Sequence, residues 1–398
     1  MGKNGRFGKD YGRVVGGDSG SRPGWKGPAY TKKAEPKVKP KTPAPENLDG
    51  ALEPAIPIEL QQLLLDVFRN SFPELLAADN LQSLLQDIKA ALYDRDFTRA
   101  FGKPEYLSAY SVRWSPSRAL CYLSILADIQ EHLTELLPLH AARPTSSSSL
   151  SATPKSTLKA VCLGGCAAEV IAFGGFLKFL LSATNTDRTV EEALDKLSIS
   201  DRSPSVDLQL VDAAQWGDVV QLLDRGLTTP PPLSKYASAS AREANSALIP
   251  AGNITTTFHT KDVLDLSQSQ LDDIVGKDPV LLTLFFTLNE LYTASIGKTT
   301  GLLLGLTLTA KPGTLLLVVD SPGSYSETTV GKEAKRYPIQ WLLDHALLEV
   351  EKSRGKEGAA SWTKVFSDES RWFRLPEGLR YPIPLENMRY QISLYRKL

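Results

Sequence analysis

The chain is 398 residues long, with 45 Lys and Arg against 45 Asp and Glu, 42% apolar residues and three cysteines. That is enough apolar chain for a sizeable core in two or three domains, which excludes a fibrous or wholly disordered protein. No stretch approaches the roughly 20 uninterrupted apolar residues of a membrane helix, and the N-terminal MGKNGRFGKDYGR has no apolar core of a secretion signal. The expectation is an intracellular protein without membrane association, its thiols Cys121, Cys162 and Cys166 buried rather than paired.

The neutral total hides an uneven distribution. Residues 1–46 hold eleven Lys and Arg against four Asp and Glu, a net of +7 that leaves −7 for the rest. Residues 1–50 are rich in Gly, Lys and Pro with few large apolar side chains, so they cannot bury enough surface to offset chain entropy and are expected to form a disordered basic tail. Its densest part, TKKAEPKVKPK, suits contact with nucleic acid, nuclear import, or plain solubility. From Pro57 onward apolar residues fall at helical spacing: Leu60, Leu63, Leu64, Val67 and Phe68, then Leu81, Leu84, Leu85, Ile88 and Leu92, then a further run from Tyr106 to Leu137. Residues 51–142 therefore read as a helical N-terminal module, and RPTSSSSLSATPKST (143–157) as a linker.

After the linker, strand and helix patterns alternate over 158–398. Strands are expected at 158–163, 206–211, 254–259, 280–287 and 314–319, and helices at 167–182, 214–225, 267–275 and 290–310. Such alternation implies an α/β fold with a parallel sheet and helices on both faces. Two polar stretches, 184–205 and 228–250, read as surface insertions. The closing MRYQISLYRK alternates apolar and polar residues as a half-buried final strand does.

An open α/β sheet binds its ligand beyond the carboxyl ends of the strands, where strand order reverses. The first glycine loop, in LKAVCLGGCAAEVIA (158–172), should mark that place. Against the dinucleotide pattern G-x-G-x-x-G it offers Gly164, Cys166 and Glu169, so only the first position matches. A carboxylate in the first helical turn would repel a pyrophosphate and attract a cation. The GKTT at 297–300 lacks the upstream glycine of a phosphate loop, Tyr292 standing there. Further acids follow the next strands: Asp212, placed to accept ribose hydroxyls, and Asp262, placed to accept an adenine amino proton. Each is also a common turn or cap residue; together with Glu169 they fit S-adenosylmethionine, which carries an ammonium and a sulfonium.

The strand PVLLTLFFTLNEL ends in Thr287, Asn289 and Glu290, beside the expected methyl group. Asn289 and Glu290 read equally as helix-capping residues or as chemistry, with Asn289 positioning a ring nitrogen and Glu290 taking its proton. The DSPGSYS segment (320–326) reads as a Pro-Gly turn at the pocket rim. The four histidines are scattered without metal-ligand spacing, and no metal is expected.

The stretches LGGCAAEVIA, TLFFTLNELY, LLLVVDSPGSYS, YPIQWLLDH and WFRLPEGLRYPIPLENMRYQISLYRK, with YSVRWSPSRALCY in the helical module, resemble a fungal group of S-adenosylmethionine-dependent methyltransferases that includes the uridine-N3 methyltransferase of large-subunit ribosomal RNA. The likeness spans about residues 55–398. It implies a class I methyltransferase fold, Rossmann-like, with a mostly parallel seven-stranded sheet whose last strand is antiparallel. It also implies methylation of a uridine in rRNA or a pre-ribosome in the nucleus or nucleolus. Carried over, the cofactor loop falls on Gly164, Gly165 and Glu169, the ribose acid on Asp212, and the adenine acid on Asp262. The chain departs from general class I enzymes in having Cys162 where an acid is common, no third loop glycine, and a long interval between Gly164 and Asp212. Trp372, Phe373 and Tyr381, interleaved with Arg371, Arg374 and Arg380, suit either core packing of the last strands or stacking on a nucleic-acid strand. Methyl transfer to a small molecule or protein, and a non-catalytic binding module, are the rival readings.

Overall fold

The computed structural model describes residues 56–136, 156–186, 204–323, 325–330, 333–349 and 361–398. The basic tail at 1–50, most of the linker and residues 187–203 of the first insertion lie outside them, and Leu52–Leu398 form one compact unit.

The sequence TLKAVCL is largely apolar, and as β1 (Thr157–Leu163) it lies inside the sheet, five of its seven residues buried. To one side of it stand β2 (Ser205–Asp212) and β3 (Ile254–Thr260), to the other β4 (Leu281–Phe285) and β5 (Leu315–Asp320), all parallel. A short antiparallel pair, β6 (Tyr325–Val330) with β7 (Glu333–Pro338), follows β5. The strands β8 (Trp362–Phe373) and β9 (Met388–Lys397) then complete a seven-stranded sheet of order β3-β2-β1-β4-β5-β9-β8, with β9 antiparallel to both neighbours. The expected α/β class I methyltransferase fold is thus present. Strand order reverses between β1 and β4, the place where such sheets take a ligand.

Among the described residues, seven helices precede the sheet: α1 (Ile58–Ser71), α2 (Pro73–Leu76), α3 (Leu81–Tyr93), α4 (Phe97–Phe101), α5 (Pro104–Arg113), α6 (Ser115–Asp128) and α7 (Gln130–Thr134). They share one apolar core with a face of the sheet and with α8 (Ala167–Thr186) and α9 (Gly217–Thr228). Close approach is built into α8: a Cβ on Gly175 would stand 2.6 Å from Leu64 Cδ1 and 3.0 Å from Leu123 Cδ2. The second insertion contains α10 (Ala239–Glu243). The opposite face is covered by α11 (Gln268–Val275), α12 (Leu288–Ala294), α13 (Ile296–Thr309) and α14 (Ile339–Asp344).

Boundaries differ from the sequence reading where capping decides them. The expected helix at 290–310 is two helices, because Ser295 is extended and its side chain accepts from the Lys298 amide, opening a new helix. The strand expected to run to 287 stops at Phe285, since Phe286 turns with φ 55°. The helix expected over 214–225 begins at Gly217, after Trp216, and Ser267 forms a full capping box with Gln270. Strand β8 escaped the pattern because WTKVFSDESRWF carries charges through two irregularities in its pairing.

Candidate active site

Gly164 follows β1 with φ 75°, and its N–H donates to Val211 O at 2.8 Å, tying the loop to the end of β2. A Cβ there would lie 2.4 Å from Thr287 Cγ2, so the loops after β1 and β4 meet across the switch point with room for hydrogen alone. Gly165 packs equally tightly, a Cβ falling 2.4 Å from that of Cys162.

The loop opens onto a cavity of about 310 Å³ lined by Gly164, Cys166, Asp212, Thr287, Asn289 and Glu290 from the sheet side. Glu169 lies beneath it, 3% exposed, with Oε2 accepting from the Cys166 N–H at 2.8 Å. Asp212 accepts from the Ala214 amide at 2.8 Å, and Asp262 from the Leu264 amide at 2.9 Å. The three expected acids therefore each turn one oxygen onto a nearby amide, a local turn role that leaves a second oxygen able to accept. Of the three, only Asp212 lines the cavity; Asp262 is exposed outside it, yet near enough to raise the Asp212 pKa.

The end of β4 differs from its expected capping. The cap position belongs to Thr287, whose Oγ1 donates instead to Phe285 O at 3.1 Å. The amide of Asn289 is satisfied by Asp320 Oδ2 at 2.9 Å, across from the tip of β5, and Asp320 Oδ1 also accepts from Ser321 at 2.7 Å. Since a neighbouring strand serves this helix start, the Asn289 and Glu290 side chains remain at the cavity. The Phe286 backbone, held at positive φ by donation to Val319 O at 2.7 Å, aims this segment at an energetic cost of about 1–3 kcal/mol.

The opposite wall comes from the N-terminal helices and was not read from the sequence. Arg95, Phe97, Phe101, Tyr110, Trp114 and Arg118 line it, joined by Trp216. The rings are in contact: Phe101 meets Tyr110 edge-on at 5.2 Å and Trp216 at 5.7 Å, and Tyr110 lies 5.1 Å from Trp114. The Arg118 guanidinium donates to Tyr110 Oη and lies 5.4 Å from the Phe286 ring centroid. The signal was there in YSVRWSPSR, whose Tyr110, Trp114 and Arg118 recur every four residues along nearly continuous helix.

Burial pushes the Glu169 carboxyl up to about 7, against the Cys166 amide. Burial likewise raises Asp212 to about 6, opposed by the Ala214 amide and the Trp216 side chain. Glu290, exposed at its outer edge but flanked by packed protein, rises to about 7; Arg118 opposes the shift, and Asp320 and Asp212 add to it. The Arg118 guanidinium acts on three of these carboxyls, Glu169, Glu290 and Asp320, a concentration of acid that a bound cation would relieve. The tight Gly164 turn and the neighbouring acids fit the amino-acid and sulfonium parts of S-adenosylmethionine. Lys298, in the GKTT stretch, is within α13 and paired with Asp265 at 2.6 Å. Among the described residues no group of acids, histidines or cysteines is arranged to hold a metal, and no helix is long and apolar enough to cross a membrane.

Residues 68–396 match the family described as "Putative SAM-dependent methyltransferase". The chain is also similar to the 25S rRNA (uridine(2843)-N(3))-methyltransferase of Saccharomyces cerevisiae, 32% identical over 344 residues that cover 84% of this chain and 85% of the yeast protein. Among solved structures, a SAM-dependent methyltransferase from Methanosarcina mazei aligns with a TM-score of 0.29 at 8% identity, over 61% of this chain and 92% of that one. An O-methyltransferase family protein from Burkholderia thailandensis aligns with a TM-score of 0.31 at 12% identity, over 80% and 70%. By the family match and the yeast relative, the chain belongs to the S-adenosylmethionine-dependent methyltransferases.

Proposed function

We propose that this enzyme methylates N3 of a uridine in large-subunit ribosomal RNA, free or within a pre-ribosome, in the nucleus or nucleolus. The observation that carries the substrate is the 32% identity, over 85% of its length, to a yeast enzyme named for that reaction. The basic N-terminal tail suits a polyanionic partner.

S-adenosylmethionine supplies a methyl group on a sulfonium. In this reading Gly164 would form the floor for its amino-acid part, with the buried Glu169 carboxyl supporting the loop through the Cys166 amide, and Asp212 would accept from its ribose. Because uridine N3 lies on the pairing edge, the base must be unpaired or turned out before it enters. The aromatic wall of Phe101, Tyr110 and Trp114 offers it a flat apolar surface. Asn289 orients the base by hydrogen bonding, and Glu290 takes the N3 proton. As that proton leaves, negative charge spreads onto the flanking carbonyl oxygens, where Arg118 stabilises it. Bound S-adenosylmethionine would give its methyl group to N3, the electron pair of the broken S–CH3 bond staying on a neutral sulfur. Alignment of donor and acceptor can supply up to roughly 7–11 kcal/mol and the base a factor of about 10²–10⁴.

The test is transfer of labelled methyl to large-subunit rRNA followed by digestion to nucleosides. Label in 3-methyluridine is expected; label confined to another nucleoside, or to protein, overturns the substrate.

A further inference from the structure

Two tryptophans of β8 have opposite fates. Trp362 is 1% exposed, with Nε1 donating to Thr307 Oγ1 at 2.9 Å. Ten residues on, Trp372 is 55% exposed, with the Arg374 guanidinium 5.6 Å and the Arg389 guanidinium 5.8 Å from its ring centroid. Its sequence neighbours pack as core: Phe373 against the apolar cluster of the helical side, and Tyr381 with its hydroxyl donating to Val112 O at 3.0 Å.

Pairing fixes where this exposed ring sits. Trp372 is opposite Arg389, and Gln391, two residues along β9, is opposite Asp320. The platform therefore projects roughly 7 Å past the level of Asp320, at the carboxyl end of the sheet, and about 10 Å to its side. Asp320 in turn anchors the helix that carries Asn289 and Glu290. Arg389 shares the face of Ser393 and Tyr395, which α14 covers through Gln340 at 2.8 and 2.7 Å. Arg389, Trp372 and Arg374 lie past that cover and are exposed. Arg389 donates to the Ser370 hydroxyl at 2.8 Å, and among the described residues neither it nor Arg374 is paired with an acid.

We infer that Trp372, Arg374 and Arg389 form a stacking platform for single-stranded RNA, taking a base next to the target nucleotide while the guanidiniums meet its phosphates. The inference rests on RNA being the substrate. An open indole beside two unpaired guanidiniums matches a base face and an anionic backbone together, and stacking of this kind tolerates any base.

The experiment uses the full chain and a labelled oligouridylate of about 12 nucleotides, followed by fluorescence anisotropy, with calorimetry of S-adenosylmethionine and thermal unfolding as controls. Trp372→Ala should raise the RNA Kd about 5- to 150-fold, Trp372→Phe should recover most of that, and cofactor affinity should be unchanged. Arg374→Ala and Arg389→Ala should each lower the slope of log affinity against log salt by about 1. Wild-type binding that Trp372→Ala leaves intact overturns the platform while the substrate stands. A wild-type chain that neither binds RNA nor forms 3-methyluridine overturns both.

Discussion

The two walls of the cavity are made from different chemistry and by different parts of the chain. The sheet side, from the loops after β1, β2 and β4, supplies carboxyls and a glycine turn; the side from α3 to α6 supplies aromatic rings and the guanidiniums of Arg95 and Arg118. On the sheet side, function follows from topology, because parallel strands end together at the switch point and bring their following loops to one place. On the helical side it follows from packing, because only the shared core brings residues about 170 positions apart to one hollow. Arg118 is the link between them, a cation from the helices set among the acids of the strands.

Substitutions can break this division. The largest effect is expected for Gly164→Ala: positive φ and a Cβ 2.4 Å from Thr287 should destabilise the protein by about 2–5 kcal/mol and abolish cofactor binding, read by thermal unfolding and calorimetry. Next, Glu290→Gln should lower kcat about 10²–10⁴-fold with the cofactor Kd nearly unchanged. In the wild type kcat/KM should rise with pH to a plateau above about 7, as Glu290 loses its proton, and this rise should vanish in the variant. A variant with unaltered turnover removes the base assignment.

Arg118→Ala tests the link. A loss of about 10²-fold in kcat/KM is expected, with the pH inflection displaced upward because the guanidinium holds the Glu290 pKa down. Lysine should restore little, lacking the planar fork. If only the KM for RNA changes, the helical side binds and does not assist chemistry.

The smallest effect concerns Glu169 alone. Its carboxyl, ordinarily near 4.5, is raised to about 7, so between those values the folded chain keeps a proton that the unfolded chain has lost. Stability from this group is therefore present below 4.5, falls as pH rises toward 7, and is absent above. Glu169→Gln should stabilise the cofactor-free protein by about 1–3 kcal/mol at pH 8 and change little at pH 4, measured by denaturant unfolding. Equal effects at both pH values would show that its contribution is packing, not charge.

Residues Thr287, Asn289, Glu290, Asp212 and Gly164 were all picked out because strand ends are recognisable, and all line one cavity. Asp320 was read only as part of a turn, since nothing in DSPGS says that its carboxylate caps a helix 31 residues earlier. Trp372 and Trp362 look alike in sequence and stand opposite residues on the same face of β9; the reach of the helical cover on that face separates them.

By itself the sequence determined the alternation of strand and helix, the glycine turn after β1, and the acids at the strand tips, because these depend on local periodicity and on backbone sterics. Which acids face the hollow, what forms the wall opposite, and which aromatic rings stay outside the core were decided only by the tertiary structure. Those outcomes depend on contacts between residues far apart in the chain, and burial, not residue type, sets how their charges behave.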